Sequence, residues 1–188
     1  MEIKQIKTEN PSEHWGFLEC DGRTVLDLGH GIWEENTEPT PIYFLKEGAT
    51  LVVGVDPSQP SYNWYKENVK TERFVQHNDY IDGPNKFQIY LRYYKPQVVK
   101  CDIEGSEIFM GNLTKEDFET VREMGIEYHS LACRIVIENM ATEWGFNIED
   151  KYQLMDINPG GMGVIHLKKP KQVTVKIRKN GNQEENNG

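Results

Sequence analysis

The stretch that most limits what this chain can fold into is Thr24–Trp33, TVLDLGHGIW. Val25, Leu26 and Leu28 suit a buried strand, because a parallel strand covered on both faces reads as a nearly continuous apolar run. Gly29 and Gly31 then let the backbone turn tightly and come close to a ligand, which a Cβ would obstruct. A strand, a Gly-x-Gly turn and a following helix make the first unit of a nucleotide-binding α/β domain. A plain structural turn is the competing reading.

Two details sharpen the choice of ligand. A dinucleotide fingerprint needs a third glycine at position 34, where this chain has Glu34 with Glu35 beside it. Carboxylates at the mouth of the helix repel a pyrophosphate, which binds bare N–H groups in positive potential. Asp27, an acid inside the strand, offers a carboxylate to the ammonium of a cationic ligand. S-adenosylmethionine carries an ammonium and a sulfonium and no phosphate, so it fits the loop Gly29, His30, Gly31 better than NAD does.

The 188 residues suffice for one domain with a substantial core. A net charge of −9 argues against nucleic-acid partners, which normally meet a basic face. Cys20, Cys101 and Cys133 are scattered and show no zinc spacing. The start MEIKQIKTEN lacks the apolar stretch of a signal peptide, and no apolar run approaches the ~20 residues of a membrane span. A cytoplasmic protein without membrane contact is expected. The expected organisation is an N-terminal segment over 1–23 (a lid, or packing on the sheet edge through His14, Trp15, Phe17 and Leu18), a main domain over 24–169, and an arm with a disordered tail over 170–188.

Along the chain, apolar runs keep ending in acids. Thr50–Val55 is a second strand, and Asp56 stands where such folds hold ribose hydroxyls, 25 residues past Gly31. Capping of the next helix is the alternative for Asp56. Arg73–His77 reads as a third strand running into Asn78-Asp79-Tyr80, polar groups suited to the adenine end of a nucleotide; Asp79 is equally an ordinary turn residue. Gln97–Ile103 is the fourth strand, leading through Asp102 into Glu104-Gly105-Ser106-Glu107. Asp117–Met124 reads as helix and Gly125–Ser130 as a fifth strand ending Glu127-Tyr128-His129. A terminal hairpin, Tyr152–Ile157 with Val164–Leu167, follows across Asn158-Pro159-Gly160-Gly161. Val173, Val175 and Ile177 alternate with polar residues as in an edge strand.

Together LDLGHG, VVGVDPS, VKCDIEGSE, IEYH, EWGFNI and GMGVIHLKK resemble the FkbM family of S-adenosylmethionine-dependent methyltransferases over roughly Thr24 to Lys169. The resemblance implies a class I, Rossmann-like α/β fold: a mostly parallel seven-stranded sheet with an antiparallel terminal hairpin and helices on both faces. It implies transfer of a methyl group to a hydroxyl oxygen. Asp27 and Gly29 match the family's first motif, Asp56 its ribose acid, Asp102 and Glu104 its fourth-strand pair, and Glu127 and His129 its fifth-strand pair. The loop departs from the family's pattern, with Gly31 in place of an asparagine and Trp33 in place of the final glycine. A degenerate, non-catalytic nucleotide-binding relative is the competing function.

Methyl transfer from a sulfonium is an in-line displacement, helped when the acceptor's proton can leave to a base. His129, with an unperturbed pKa near ~6.5, is the expected base, with Asp102 or Glu104 orienting it or holding a small-molecule hydroxyl substrate. The cofactor is expected on Asp27, Gly29, His30, Gly31, Asp56, Asp79 and Asp102. A divalent metal on Asp102, Glu104 and His129 is the less favoured version.

Overall fold

The computed structural model describes residues 4–5, 11–32, 38–155 and 161–170. Trp33, Glu34, Glu35, the turn residues Asn158-Pro159-Gly160, and Val173, Val175 and Ile177 lie outside the described residues, so the expectations placed on them are not taken further.

Eight strands form one sheet. They are β1 (Lys4–Gln5), β2 (Thr24–Leu28), β3 (Leu51–Asp56), β4 (Phe74–Asn78), β5 (Val98–Cys101), β6 (Glu123–Tyr128), β7 (Asn147–Met155) and β8 (Met162–Lys168). Their spatial order is β1-β7-β8-β6-β5-β2-β3-β4, with β8 antiparallel to both neighbours and every other pairing parallel. The expected seven-stranded sheet is therefore present as β2 to β8, with the β7–β8 hairpin closing it and the two-residue β1 added at one edge. The order reverses between β2 and β5, and open α/β sheets bind ligands beyond the carboxyl ends of the strands at such a switch point.

Alternation along the strands divides the core in two. Leu26, Leu28, Val53, Val55, Val99, Cys101, Ile165 and Leu167 join one cluster, packed with α4 (Pro84–Tyr94) and α5 (Leu131–Glu143). Val25, Val52, Val98 and Val164 face the other way, against Trp15 of α1 (Pro11–Trp15) and Tyr43 and Phe44 of α2 (Thr40–Lys46). The remaining helix, α3 (Gln59–Asn68), starts at Ser58, whose hydroxyl accepts from Ser61 N. No helix among the described residues is long and apolar enough to cross a membrane.

One boundary differs from the sequence reading. Residues 123 and 124 are strand, and what precedes them is a 3-10 turn over Lys115–Phe118. Glu123 resembles a surface helix residue in sequence but is buried at the amino edge of β6. There it accepts from His166 Nε2 (2.8 Å), Arg23 Nη1 (3.2 Å) and Glu19 N (3.1 Å). Those partners let a carboxylate occupy an interior strand position.

A single register row crosses the middle of the sheet on the α1/α2 face: Gln76, Gly54, Asp27, Lys100, Gly125, His166. The two glycines admit rings. The His30 imidazole lies over Gly54, where a Cβ would stand 2.9 Å from Nδ1, and Trp15 and Phe17 lie over Gly125 at 3.0 Å. The N-terminal aromatics thus pack on the face of the sheet. Gly54→Ala should cost about 1–3 kcal/mol by overpacking. Urea unfolding should show a smaller cost when the same change is made in a His30→Ala background; equal costs would mean the imidazole is not what the methyl meets.

Candidate functional site

The predicted site residues arrive at the sheet's carboxyl edge because each follows a strand. Gly29 leaves β2 in the left-handed region (φ 78°), and a Cβ there would lie 1.6 Å from the carbonyl oxygen of Asp102. Only glycine lets the β2 turn and the β5 exit pass so closely. The crossing is held by Asp102 N donating to Leu28 O (3.0 Å) and Gly29 N to Val55 O (2.8 Å). Gly31 is half-buried, and the next residue's N–H, Ile32, donates to Ser61 Oγ at 3.1 Å.

Asp27 turns into the interior of the sheet, against Lys100. It is fully buried. Thr40 Oγ1 donates to its Oδ2, and Lys100 Nζ stands 3.2 Å from its Oδ1. Lys100, directly opposite in register, is the cation that the sequence reading assigned to the cofactor. Its lysine reaches on to the carbonyls of Leu28 and Gly29 and lies 5.4 Å above the Trp15 ring. Burial would depress the ammonium's pKa, but Asp27 and Asp102 outweigh it and hold it raised. Lys100 was missed in the sequence, although a lysine inside the run QVVKC was its signal, since a buried charge requires a partner.

His30 also turns inward. Its ring is buried between Tyr65 (centroids 5.0 Å) and Phe74 (6.1 Å), and burial lowers its pKa. The residue as a whole is 1% exposed, and its carbonyl accepts from the Tyr65 hydroxyl at 2.9 Å. Asp79 is engaged as well: Oδ2 accepts from Tyr90 (2.8 Å) and Oδ1 from Tyr80 N (2.9 Å) and from Lys86. Burial raises its pKa less than Lys86 and Tyr90 lower it. Asp79 orders its turn, and Tyr80, half-exposed beyond it, brings its hydroxyl to 3.3 Å from Ser106 Oγ. Asp56 Oδ1 accepts from Ser58 N (2.7 Å), while its other oxygen takes no hydrogen bond among the described residues.

Asp102, Glu104 and His129 come together. His129 Nε2 lies 3.4 Å from Glu104 Oε2, 3.7 Å from Asp102 Oδ1 and 3.9 Å from Glu127 Oε1. Its Nδ1 faces Glu107 Oε1 at 3.2 Å, and the same oxygen accepts from Ile103 N at 2.9 Å. Glu104 reaches this point from a left-handed backbone (φ 53°), an uncommon state for a non-glycine residue and one that concentrates at functional sites. Burial alone would lower the imidazole, yet Glu107, Glu127 and Asp102 raise it to about 9. It therefore carries a proton at neutral pH, in contrast to the free base expected from its ordinary value. Burial pushes Asp102 up to about 6 against the pull of Lys100.

A scan against protein-family models matches none, and a search of curated proteins finds no relative. Solved structures do share the fold. One, a provisionally assigned S-adenosylmethionine-dependent methyltransferase from Listeria monocytogenes, superposes with a TM-score of 0.61 at 14% identity, over 84% of this chain and 97% of its own. An S-adenosylmethionine-dependent methyltransferase from Mesorhizobium loti gives 0.61 at 10% identity, over 85% and 96%. A third, from Streptococcus pneumoniae, provisionally assigned as a tRNA (m1A22) methyltransferase and solved with S-adenosyl-L-methionine, gives 0.55 at 15%, over 85% and 72%. The chain has the Rossmann-like class I methyltransferase fold.

The Asp27–Lys100 pair gives a direct test of this assembly. Lys100→Met should cost about 3–5 kcal/mol, because it leaves a buried carboxylate without its cation. Adding Asp27→Asn should recover a large part of that loss in denaturant unfolding. A double variant no more stable than Lys100→Met would place the lysine's effect on Asp102 or Trp15 instead.

Proposed function

We propose that this protein is an S-adenosylmethionine-dependent methyltransferase of the FkbM kind, acting on the hydroxyl of a small molecule. The observation that carries the reading is the convergence at one sheet edge of the Gly29 turn, Asp56, and the group Asp102, Glu104 and His129. The class I methyltransferase fold and the motif resemblance support it. The cofactor's adenosine and methionine parts are assigned to the backbone of Gly29–Ile32, to Asp56 for the ribose hydroxyls, and to the edge at Asp102.

In the reaction the acceptor oxygen attacks the methyl carbon in line with the carbon–sulfur bond. A carbon–oxygen bond forms as that bond breaks, S-adenosylhomocysteine leaves, and the hydroxyl proton passes to the carboxylates at the ends of β5 and β6. The protein's chief contribution is alignment within a fixed frame. Asp102, Glu104, Glu107 and Glu127 make this edge repel polyphosphate, in keeping with a net charge of −9. A small acceptor without phosphates suits it better than RNA.

Calorimetric titration in EDTA-containing buffer should show S-adenosylhomocysteine binding and no binding of NAD. Asp56→Ala should weaken that binding by about 1–3 kcal/mol, the cost of leaving ribose hydroxyls without their acceptor; unchanged affinity would remove Asp56 from the site. Binding of S-adenosylhomocysteine without methyl transfer would leave the degenerate, non-catalytic reading in place of this one, and a folded protein that bound neither ligand would overturn both.

A further inference from the structure

We infer that Asp102, Glu104 and His129, with Glu127 beside them, form a divalent-cation site of the Mn2+ or Mg2+ type at the reacting edge. Its catalytic role rests on the methyltransferase reading, but its existence as a binding site does not.

One donor atom each from Asp102, Glu104 and His129 lies within 4.8 Å of the others. An octahedral cation with bonds of about 2.1 Å sets neighbouring ligands ~3 Å apart and opposite ones ~4.2 Å apart. The separations of 3.4, 3.7 and 3.9 Å from His129 Nε2 to the three carboxylates fall between those limits. Small side-chain rotations bring the atoms onto a common centre. Glu104 is free to make them, with 68% of its side chain exposed.

Two buried groups outside that ligand set also point to a cation. Glu107, 0% exposed, holds His129 Nδ1 and is itself anchored on Ile103 N, which turns Nε2 toward the carboxylates. A carboxylate behind a histidine in this way is the usual support of a metal-ligating imidazole. Its second oxygen, Oε2, is buried with no hydrogen-bond partner. From the opposite side comes His14 of α1, only 7% exposed, whose Nε2 lies 3.2 Å from Glu127 Oε2 without making a hydrogen bond. Charge agrees with the geometry. Asp27, Asp102, Glu104, Glu107 and Glu127 outnumber Lys100, which Asp27 already engages, and the protonated His129, which would give up its proton to a bound metal. Two carboxylate oxygens and one nitrogen, with Glu127 as a further oxygen nearby, make a hard set that favours Mn2+ or Mg2+ over thiophilic ions. A cation there would lower the pKa of an acceptor hydroxyl bound to it and hold that oxygen beside the methyl donor.

The test uses the full chain stripped with EDTA and titrated with MnCl2 alone, reading free Mn2+ by electron paramagnetic resonance. One Mn2+ should bind per chain. Glu104→Gln, on an exposed side chain, and His129→Gln should each weaken binding at least tenfold, and Glu107→Gln by about 10–100-fold through the imidazole it orients. Methyl transfer should stop in EDTA and return with Mn2+. Failure of the folded wild-type chain to take up Mn2+ would overturn the site, as would unchanged affinity in Glu104→Gln. S-adenosylhomocysteine binding in EDTA is read separately, so loss of the metal site and loss of the methyltransferase reading give different results.

Discussion

The ion pair between Asp27 and Lys100 is the interaction from which the rest of this structure follows. The two residues face each other in register on the central strands β2 and β5, inside a row otherwise made small by Gly54 and Gly125. A buried pair is poor as a source of stability, since desolvating both charges offsets most of their attraction. Its value here is positional. Lys100 is long enough to reach past Asp27 to the carbonyls of Leu28 and Gly29, the residues where β2 breaks into the ligand loop. It also stands 3.8 Å from Asp102 Oδ2, the first residue beyond β5. One ammonium therefore links the Gly29 loop, the core row and the first carboxylate beyond β5.

The glycines flanking that pair explain how helices on one face can sit so close. Trp15 and Phe17 settle over Gly125, and Trp15 also covers the Lys100 ammonium, which shields the pair from water. The same helix carries His14 to Glu127 at the end of β6. Packing of the N-terminal segment and the charge state of the site are thus one problem. On the opposite edge of the sheet Glu123 gathers Arg23, His166 and the backbone of Glu19, so the segment is fastened at both ends of β6.

Much of this was legible in the sequence, and the division is physical. Strand ends are local events: an apolar run that gives way to a polar residue marks one wherever it occurs, and that signal places Asp56, Asp102 and His129 at the ends of strands. Partners are not local. Nothing near Asp27 says that its cation is Lys100, because only the β2–β5 register brings them opposite, and a ligand's ammonium satisfied the same chemical demand on paper. Asp79 is the same case, since its partners Lys86 and Tyr90 come from the next helix. His129 was located but its charge was not, since its pKa follows from carboxylates contributed by two separate segments. The strand start at Glu123 was hidden because a glutamate reads as surface until its three partners are known.

The glycine loop carries the imidazole of His30, whose bulk need not stand over the loop. Its ring instead descends through the gap that Gly54 leaves in β3 and packs against Tyr65 and Phe74, while Tyr65 donates its hydroxyl to the His30 carbonyl at 2.9 Å. Loop and core fit each other: an imidazole above, a glycine below, and a tyrosine from α3 holding the backbone. The imidazole's bulk is therefore taken up beneath the loop and leaves the Gly29 turn, its crossing with Asp102 and the carboxylates beyond in place.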